Sequence, residues 1–202
     1  MSRSLTTPVA AAAALLALSA CSDSSPRATD PAVHSSEAAV HETGTCPPRL
    51  PEGDDPGGHG FGVEAAAEDL PSLLEPEQAW LCQYAATDAA PSPEGAAYTW
   101  DLVGRAEPMP AARLAALGQA LDHLSLPEDE RMCTADLGPR WMVVYDHDGD
   151  LTGVVVDDYG CREVRLTDDP FETPPGQSDE NGMVPGVLDG GTAVLTALGV
   201  GR

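Results

Sequence analysis

The sequence predicts an α+β domain, in which a small antiparallel sheet of about four or five strands packs with one main helix, a short C-terminal helix and two disulfides. Large and small side chains alternate over residues 80–84 and 98–102, which is typical of half-buried strands. Leucines recur at helical spacing within residues 110–124. β-Branched runs flank Asp148-Gly149, which indicates a hairpin with a two-residue turn.

The helix is predicted over residues 110–124, because Pro110 suits a first helical turn and Pro127 marks the end. Its apolar stripe consists of Leu114, Leu117, Leu121 and Leu124. A short closing helix is expected to be capped by Thr192 and to end at Gly199. The acidic, Pro- and Gly-rich residues 168–190 before it predict a long loop.

The hairpin prediction includes a register. A two-residue turn at Asp148-Gly149 pairs Tyr145 with Thr152, Val143 with Val154 and Trp141 with Val156, so that one face is consistently apolar. Residues 161–167 are expected to add a further strand.

Strand aromatics offer two interpretations. Packing under the helix is the simpler one, whereas exposure of several together would favour a groove for peptide or sugar. The residues concerned are Trp80, Tyr84, Tyr98, Trp100, Trp141 and Tyr145.

Residues 1–20 have the pattern of an export signal. Arg3 gives the N-terminal region its positive charge, an apolar run extends from about Pro8 to Leu18, and small residues follow. Leu18-Ser19-Ala20-Cys21 resembles the lipobox of bacterial lipoproteins. That resemblance implies cleavage before Cys21 and attachment of a diacylglycerol, with fatty acyl chains such as palmitate, to the cysteine. The mature protein is then expected on the extracytoplasmic face of the cell membrane. An ordinary secretory signal is the alternative.

Residues 21–45 are expected to form a lipidated N-terminus and a tether, because they are rich in Ser, Thr, Ala and Asp and lack an apolar period. Residues 46–202 are then one extracytoplasmic domain. The chain carries 10 basic and 33 acidic residues, for a formal net charge of −23. Such a polyanion is repelled by nucleic acid, so the expected partners are the membrane, through lipid, and a protein or envelope component.

Four further cysteines, an even number in an exported chain, predict two disulfides. The predicted hairpin brings Cys133 and Cys161 together, and Cys46–Cys82 then follows by elimination. A zinc site is the alternative, but it favours closely spaced cysteine pairs that the sequence lacks.

No catalytic, cofactor or metal residue is assigned from the sequence. The acidic turn Asp146–Asp150, with Asp157, partly matches a calcium loop, but Leu151 occupies the position that requires glycine. The five histidines form no metalloprotease pattern, and neither a nucleophile elbow nor a phosphate-binding loop is present. These histidines are His34, His41, His59, His123 and His147.

The part after the lipobox resembles small lipoproteins of high-GC Gram-positive bacteria, through Cys82-Gln83-Tyr84, the helix at 110–124 and the segment Trp141–Cys161. The expected function is a non-catalytic binding module. The first alternative is an exported protease inhibitor, because the helix followed by the Cys133–Cys161 hairpin resembles bacterial subtilisin inhibitors; residues 134–140 are then the inhibitory loop. The second alternative is an envelope enzyme, with His59 or His123 meeting carboxylates in a cleft.

Overall fold

The structure, a computed structural model, describes residues 45–53, 65–88, 98–128, 131–134 and 136–201. Across these residues, five strands form an antiparallel sheet in the order β2-β1-β3-β4-β5, accompanied by two helices. The elements are β1 (Gln78–Asp88), β2 (Tyr98–Pro108), α1 (Ala111–Leu121), β3 (Arg140–His147), β4 (Asp150–Asp157), β5 (Val164–Thr167) and α2 (Gly191–Leu198). The predicted α+β class is confirmed.

The hairpin has the register that the sequence predicts. Tyr145 lies opposite Thr152, Val143 opposite Val154, and Trp141 opposite Val156. The turn requires positive φ at both central residues, and Asp148 and Gly149 have φ of 54° and 91°. The Asp-Gly pair therefore fixes which β3 and β4 side chains share a face.

Two helix boundaries differ from the prediction. The helix α1 ends at Leu121, and tight turns then bring Leu124 back to the core, so the leucine stripe runs past the helix itself. Thr192 does not cap α2, because the N-cap is Gly190, whose φ of 120° favours glycine. The predicted end at Gly199 is confirmed, with that residue in the left-handed conformation.

Both helices cover one face of the sheet. Leu117 and Leu121 of α1 and Val194 of α2 join Val143, Tyr145 and other buried side chains of the strands in one apolar cluster. Part of the long loop before α2 also packs here. The backbone N–H and carbonyl of Leu188 form hydrogen bonds with the carbonyl and N–H of Val164 in β5. The apolar sides of the two helices therefore cover one face of β3, β4 and β5.

The opposite face has its own, smaller core. Tyr84, Trp100 and Met142 are buried there, and residues 46–50 lie against them. These residues are held to β2 by hydrogen bonds from Leu50 N to the Trp100 carbonyl (3.0 Å) and from Leu102 N to the Pro48 carbonyl (2.9 Å). A segment without strand periodicity thus protects part of the edge strand from pairing with another chain.

Both predicted disulfides are present, Cys46–Cys82 with Cα atoms 6.0 Å apart and Cys133–Cys161 with Cα atoms 4.8 Å apart. The first attaches the residue 46–50 segment to the centre of β1. The second joins the chain before β3 to the chain after β4. On the loop-closure account, each contributes about 3–4 kcal/mol of stability.

Several predictions concern residues outside the described ranges: the signal at 1–20, Cys21, most of the tether at 21–45, and His34, His41 and His59. In the part of the chain that the structure does describe, neither helix has the length and apolar character that a membrane span requires.

Candidate functional site

The segment between α1 and β3 is the best candidate for a functional surface. We call residues 131–134 and 136–139 the bracing loop; they lie in neither helix nor strand and immediately precede β3. The inhibitory loop expected at 134–140 falls within this region, apart from residue 135, which is outside the described residues, and Arg140, which begins β3.

Covalent and ionic contacts anchor the start of the bracing loop. Cys133 is bonded to Cys161, which follows β4. The Arg131 guanidinium binds two carboxylates, Glu163 just before β5 and Asp189 just before α2. Because two of these anchors lie in the connection between β4 and β5 and the third lies just before α2, the beginning of the loop is tied to the sheet and to the second helix.

Hydrogen bonds fix the rest of the bracing loop. The backbone N–H of Gly160 donates to Asp136 (3.4 Å), and the hydroxyl of Thr134 donates to the same carboxylate. The Thr134 hydrogen bond, with smaller contributions from backbone N–H groups and Arg162, lowers the pKa of Asp136. Further along, the Asp158 N–H donates to the Pro139 carbonyl (3.0 Å).

The loop displays apolar side chains in spite of these anchors. Met132 has 98% of its surface exposed and Leu137 has 45%. A methionine packed in a core would gain about 1.5–3 kcal/mol from leaving water, so this side chain contributes little to folding. An anchored backbone that holds apolar side chains in solvent leaves them available for contact with another molecule.

A cleft of about 550 Å³ lies beside the bracing loop. Arg140 of β3 and Arg165 of β5 line it and share Asp157 of β4: Arg140 Nε donates to one carboxylate oxygen (2.6 Å) and Arg165 Nη1 to the other (2.9 Å). Glu163 also accepts a hydrogen bond from Arg165. The two guanidinium groups thus have two carboxylates as counterions, so the cluster is electrically balanced.

Aromatic rings complete the wall behind these arginines. Trp100 and Tyr159 are stacked with ring centroids 5.9 Å apart, and the Arg140 guanidinium carbon lies 3.9 Å from the Trp100 centroid. Burial lowers the pKa of Arg140 to about 10, against the attraction of Asp157. Arg140 therefore remains a cation at neutral pH, where the carboxylate and the indole face stabilise its charge.

The sequence-predicted aromatics do not form one groove. Tyr84, Trp100 and Tyr145 are buried, which confirms packing for these three. Their faces differ, however, since Tyr145 packs under the helices while Tyr84 and Trp100 lie on the other side of the sheet. The expectation that packing occurs under the helix is thus wrong for Tyr84 and Trp100, because the residue 46–50 segment covers them.

The fold separates the carboxylates that partly match a calcium loop. The carboxylate of Asp146 accepts a hydrogen bond from Gly149 N (2.9 Å) within the turn, whereas Asp157 lies at the far end of β4 among the arginines. These carboxylates therefore do not converge. Within the described ranges, no group of three or more His, Cys, Asp or Glu side chains has metal-binding geometry.

The two described histidines lie in separate places. His123 lines a groove of about 1030 Å³ between α1 and α2, and its Nδ1 lies 2.7 Å from the Gln119 carbonyl. His147 ends β3, with Nδ1 3.2 Å from the Glu75 carbonyl. The groove beside His123 is lined mainly by Ala, Gly and Thr, with Asp189 as its carboxylate.

Sequence reasoning found the loop and its disulfide but missed the exposed Met132 and the arginine cluster. Met132 precedes a cysteine, and nothing in its neighbourhood distinguishes an exposed methionine from a buried one. Comparisons with protein-family models, with curated proteins and with solved structures find no match to this chain.

Proposed function

We propose that the mature chain is a lipid-anchored, extracytoplasmic, non-catalytic binding module, and that the bracing loop is its binding surface. The observation that carries this proposal is Met132, which is 98% exposed between two anchored neighbours. The partner class we favour is a protein of the envelope or cell surface. Anchoring at Cys21 by lipid would keep the loop outside the cytosol.

The contacts of the loop favour binding with little loss of entropy. Binding normally orders flexible side chains and loops at a cost of about 0.5–1.5 kcal/mol per long side chain. Here Arg131 is already ion-paired and Cys133 is already bonded, so much of that cost is met by folding. Burial of Met132 against a partner would then add about 1.5–3 kcal/mol of favourable free energy.

The charge distribution also supports a protein partner. The whole chain carries −23, yet Arg131, Arg140 and Arg165 line the cleft beside the loop and are balanced by carboxylates. The exposed Met132 and Leu137 thus lie on a loop beside arginines whose charges are compensated, so these arginines add little net charge where a partner would make contact.

The anchor is tested by Cys21→Ala in the full chain. We expect this variant to move from the membrane fraction to the soluble extracytoplasmic fraction, because the lipid can no longer be attached. Cys21→Ala that remains in the membrane fraction would contradict lipid anchoring.

The binding surface is tested by photocrosslinking on intact cells. A photoreactive amino acid replaces Met132 in one strain and Asp150 in a control strain. Asp150 is exposed at the start of β4, about 25 Å from the bracing loop along an eight-residue strand. We expect a discrete cross-linked protein from position 132 and none from position 150. Equal patterns from both positions would refute the assignment of the loop.

Protease inhibition is the second candidate, favoured by one observation: the loop is exposed yet held by a disulfide close to its exposed side chains. A protease binds such a segment as an extended chain, and a rigid loop resists separation after cleavage. The test is titration of a secreted subtilisin-type serine protease with the mature domain.

Stoichiometric inhibition that is lost in the double variant C133S/C161S would support this function. Rapid cleavage within the loop, with full protease activity retained, would exclude it.

A further inference from the structure

The four methionines within the described residues differ sharply in their contact with solvent. Met132 is 98% exposed, whereas Met109, Met142 and Met183 are at most 8% exposed. Met142 is enclosed further by the Tyr84 hydroxyl, which lies 3.9 Å from its sulfur. A dissolved oxidant therefore reaches one described thioether freely and the other three only when the fold opens.

The setting of Met132 keeps it exposed. Arg131 on one side is bound by two carboxylates, and Cys133 on the other is bonded to Cys161. With both neighbours fixed, the backbone has little freedom to turn the side chain into the core. The adjacent sulfur atoms are already oxidised as a disulfide, so they do not compete for a mild oxidant.

We propose that Met132 is a selective oxidation site, and that its conversion to the sulfoxide weakens the contact made by the bracing loop. The second half of this proposal rests on the proposed binding function. The oxidant is a peroxide, to which the proposed extracytoplasmic location would expose this side chain directly. No acidic, basic or metal group is needed beside the sulfur for this reaction.

The chemistry is an oxygen transfer. A sulfur lone pair of Met132 attacks one oxygen of hydrogen peroxide, and the S–O bond forms as the O–O bond breaks. The proton on the transferred oxygen passes to the departing hydroxide, so the products are the sulfoxide and water. Sulfur loses two electrons and the peroxide gains them. The product replaces a flexible apolar group with a polar one, which disfavours burial in an apolar contact.

The modification should leave the fold intact, because Met132 belongs to neither apolar core cluster. This separates Met132 from the other described methionines. Oxidation of Met142 would place a polar oxygen among Tyr84, Trp100 and Val155, so that modification would accompany unfolding.

Peptide mapping of peroxide-treated mature protein tests the site. We expect Met132 to gain one oxygen roughly tenfold faster than Met109, Met142 or Met183, in line with their exposure. In denaturant the four rates should become similar, which is the control for intrinsic reactivity. Similar rates in the native protein would overturn the assignment, whether or not the loop binds a partner.

Crosslinking tests the consequence. With a photoreactive amino acid at Leu137, elsewhere in the same loop, peroxide should lower the cross-link yield of the chain with Met132 but not of Met132→Leu. Equal loss in both chains, or no loss in either, would refute the weakened contact. No cross-link before oxidation would instead count against the proposed binding function, while the peptide mapping still decides the oxidation site.

Discussion

Asp157 is the residue whose removal should destabilise this protein most clearly through charge. It accepts hydrogen bonds from Arg140 and Arg165, whose exposed fractions are 2% and 3%. The change Asp157→Asn keeps the size of the side chain and removes its charge. Two nearly buried guanidinium groups then lose their common counterion, while Glu163 still binds Arg165.

The expected cost follows from desolvation. Breaking a buried ion pair by neutralising one partner typically costs about 3–5 kcal/mol, because the other charge stays buried without compensation. For a domain of this size, about 2–4 °C of melting temperature is lost per kcal/mol. Asp157→Asn should therefore lower Tm by about 6–20 °C, measured by thermal and urea unfolding with both disulfides intact.

Asp101→Asn provides a matched control. Asp101 also binds an arginine, Arg49, at 2.8 Å, but the two side chains are 36% and 53% exposed. Surface pairs of this kind contribute about 0–1 kcal/mol, since water solvates both charges and salt screens them. If Asp157→Asn costs no more than Asp101→Asn in the same buffer, the reasoning about buried charge in this cluster is refuted.

Three further predictions concern the disulfides, a buried tyrosine and a glycine. Mild reductant should open Cys133–Cys161 before Cys46–Cys82, because Cys133 is exposed while Cys46 and Cys82 are buried. Mass mapping of alkylated thiols measures the order of opening, and the reverse order would contradict the prediction. Burial raises the pKa of Tyr145 to about 12. The stability contributed by the neutral Tyr145 side chain is therefore present below the ordinary tyrosine pKa of about 10 and is lost as pH rises through about 12. Alkaline unfolding followed by tyrosinate absorbance tests this, and titration of Tyr145 in the ordinary range would oppose it. Gly191→Ala should lower the free energy of unfolding, measured in urea, by about 1–3 kcal/mol. A Cβ at this position would lie 1.8 Å from the Arg162 carbonyl oxygen, so α2 would have to shift. An unchanged free energy of unfolding would show that this contact is not close.

The candidate site was only partly accessible from the sequence. The pairing of Cys133 with Cys161 was predicted correctly, because the hairpin between them is encoded locally by Asp148-Gly149. The exposure of Met132 was not predicted, since exposure depends on whether a distant segment covers a residue. The sequence already disfavours a calcium loop, because Leu151 stands where glycine is required, and the structure adds that strand β4 carries Asp157 away from the turn that holds Asp146.

The sequence by itself determined the elements whose signals are local: the hairpin and its register, the helix α1 near its true start, and the end of α2 at Gly199. Only the tertiary structure decided how both faces of the sheet are covered, why Arg140 and Arg165 meet at Asp157, and which methionine stays in solvent. The physical reason is range. Turns and helical periodicity are set by neighbouring residues, whereas burial and charge pairing depend on segments that folding brings together from distant parts of the chain.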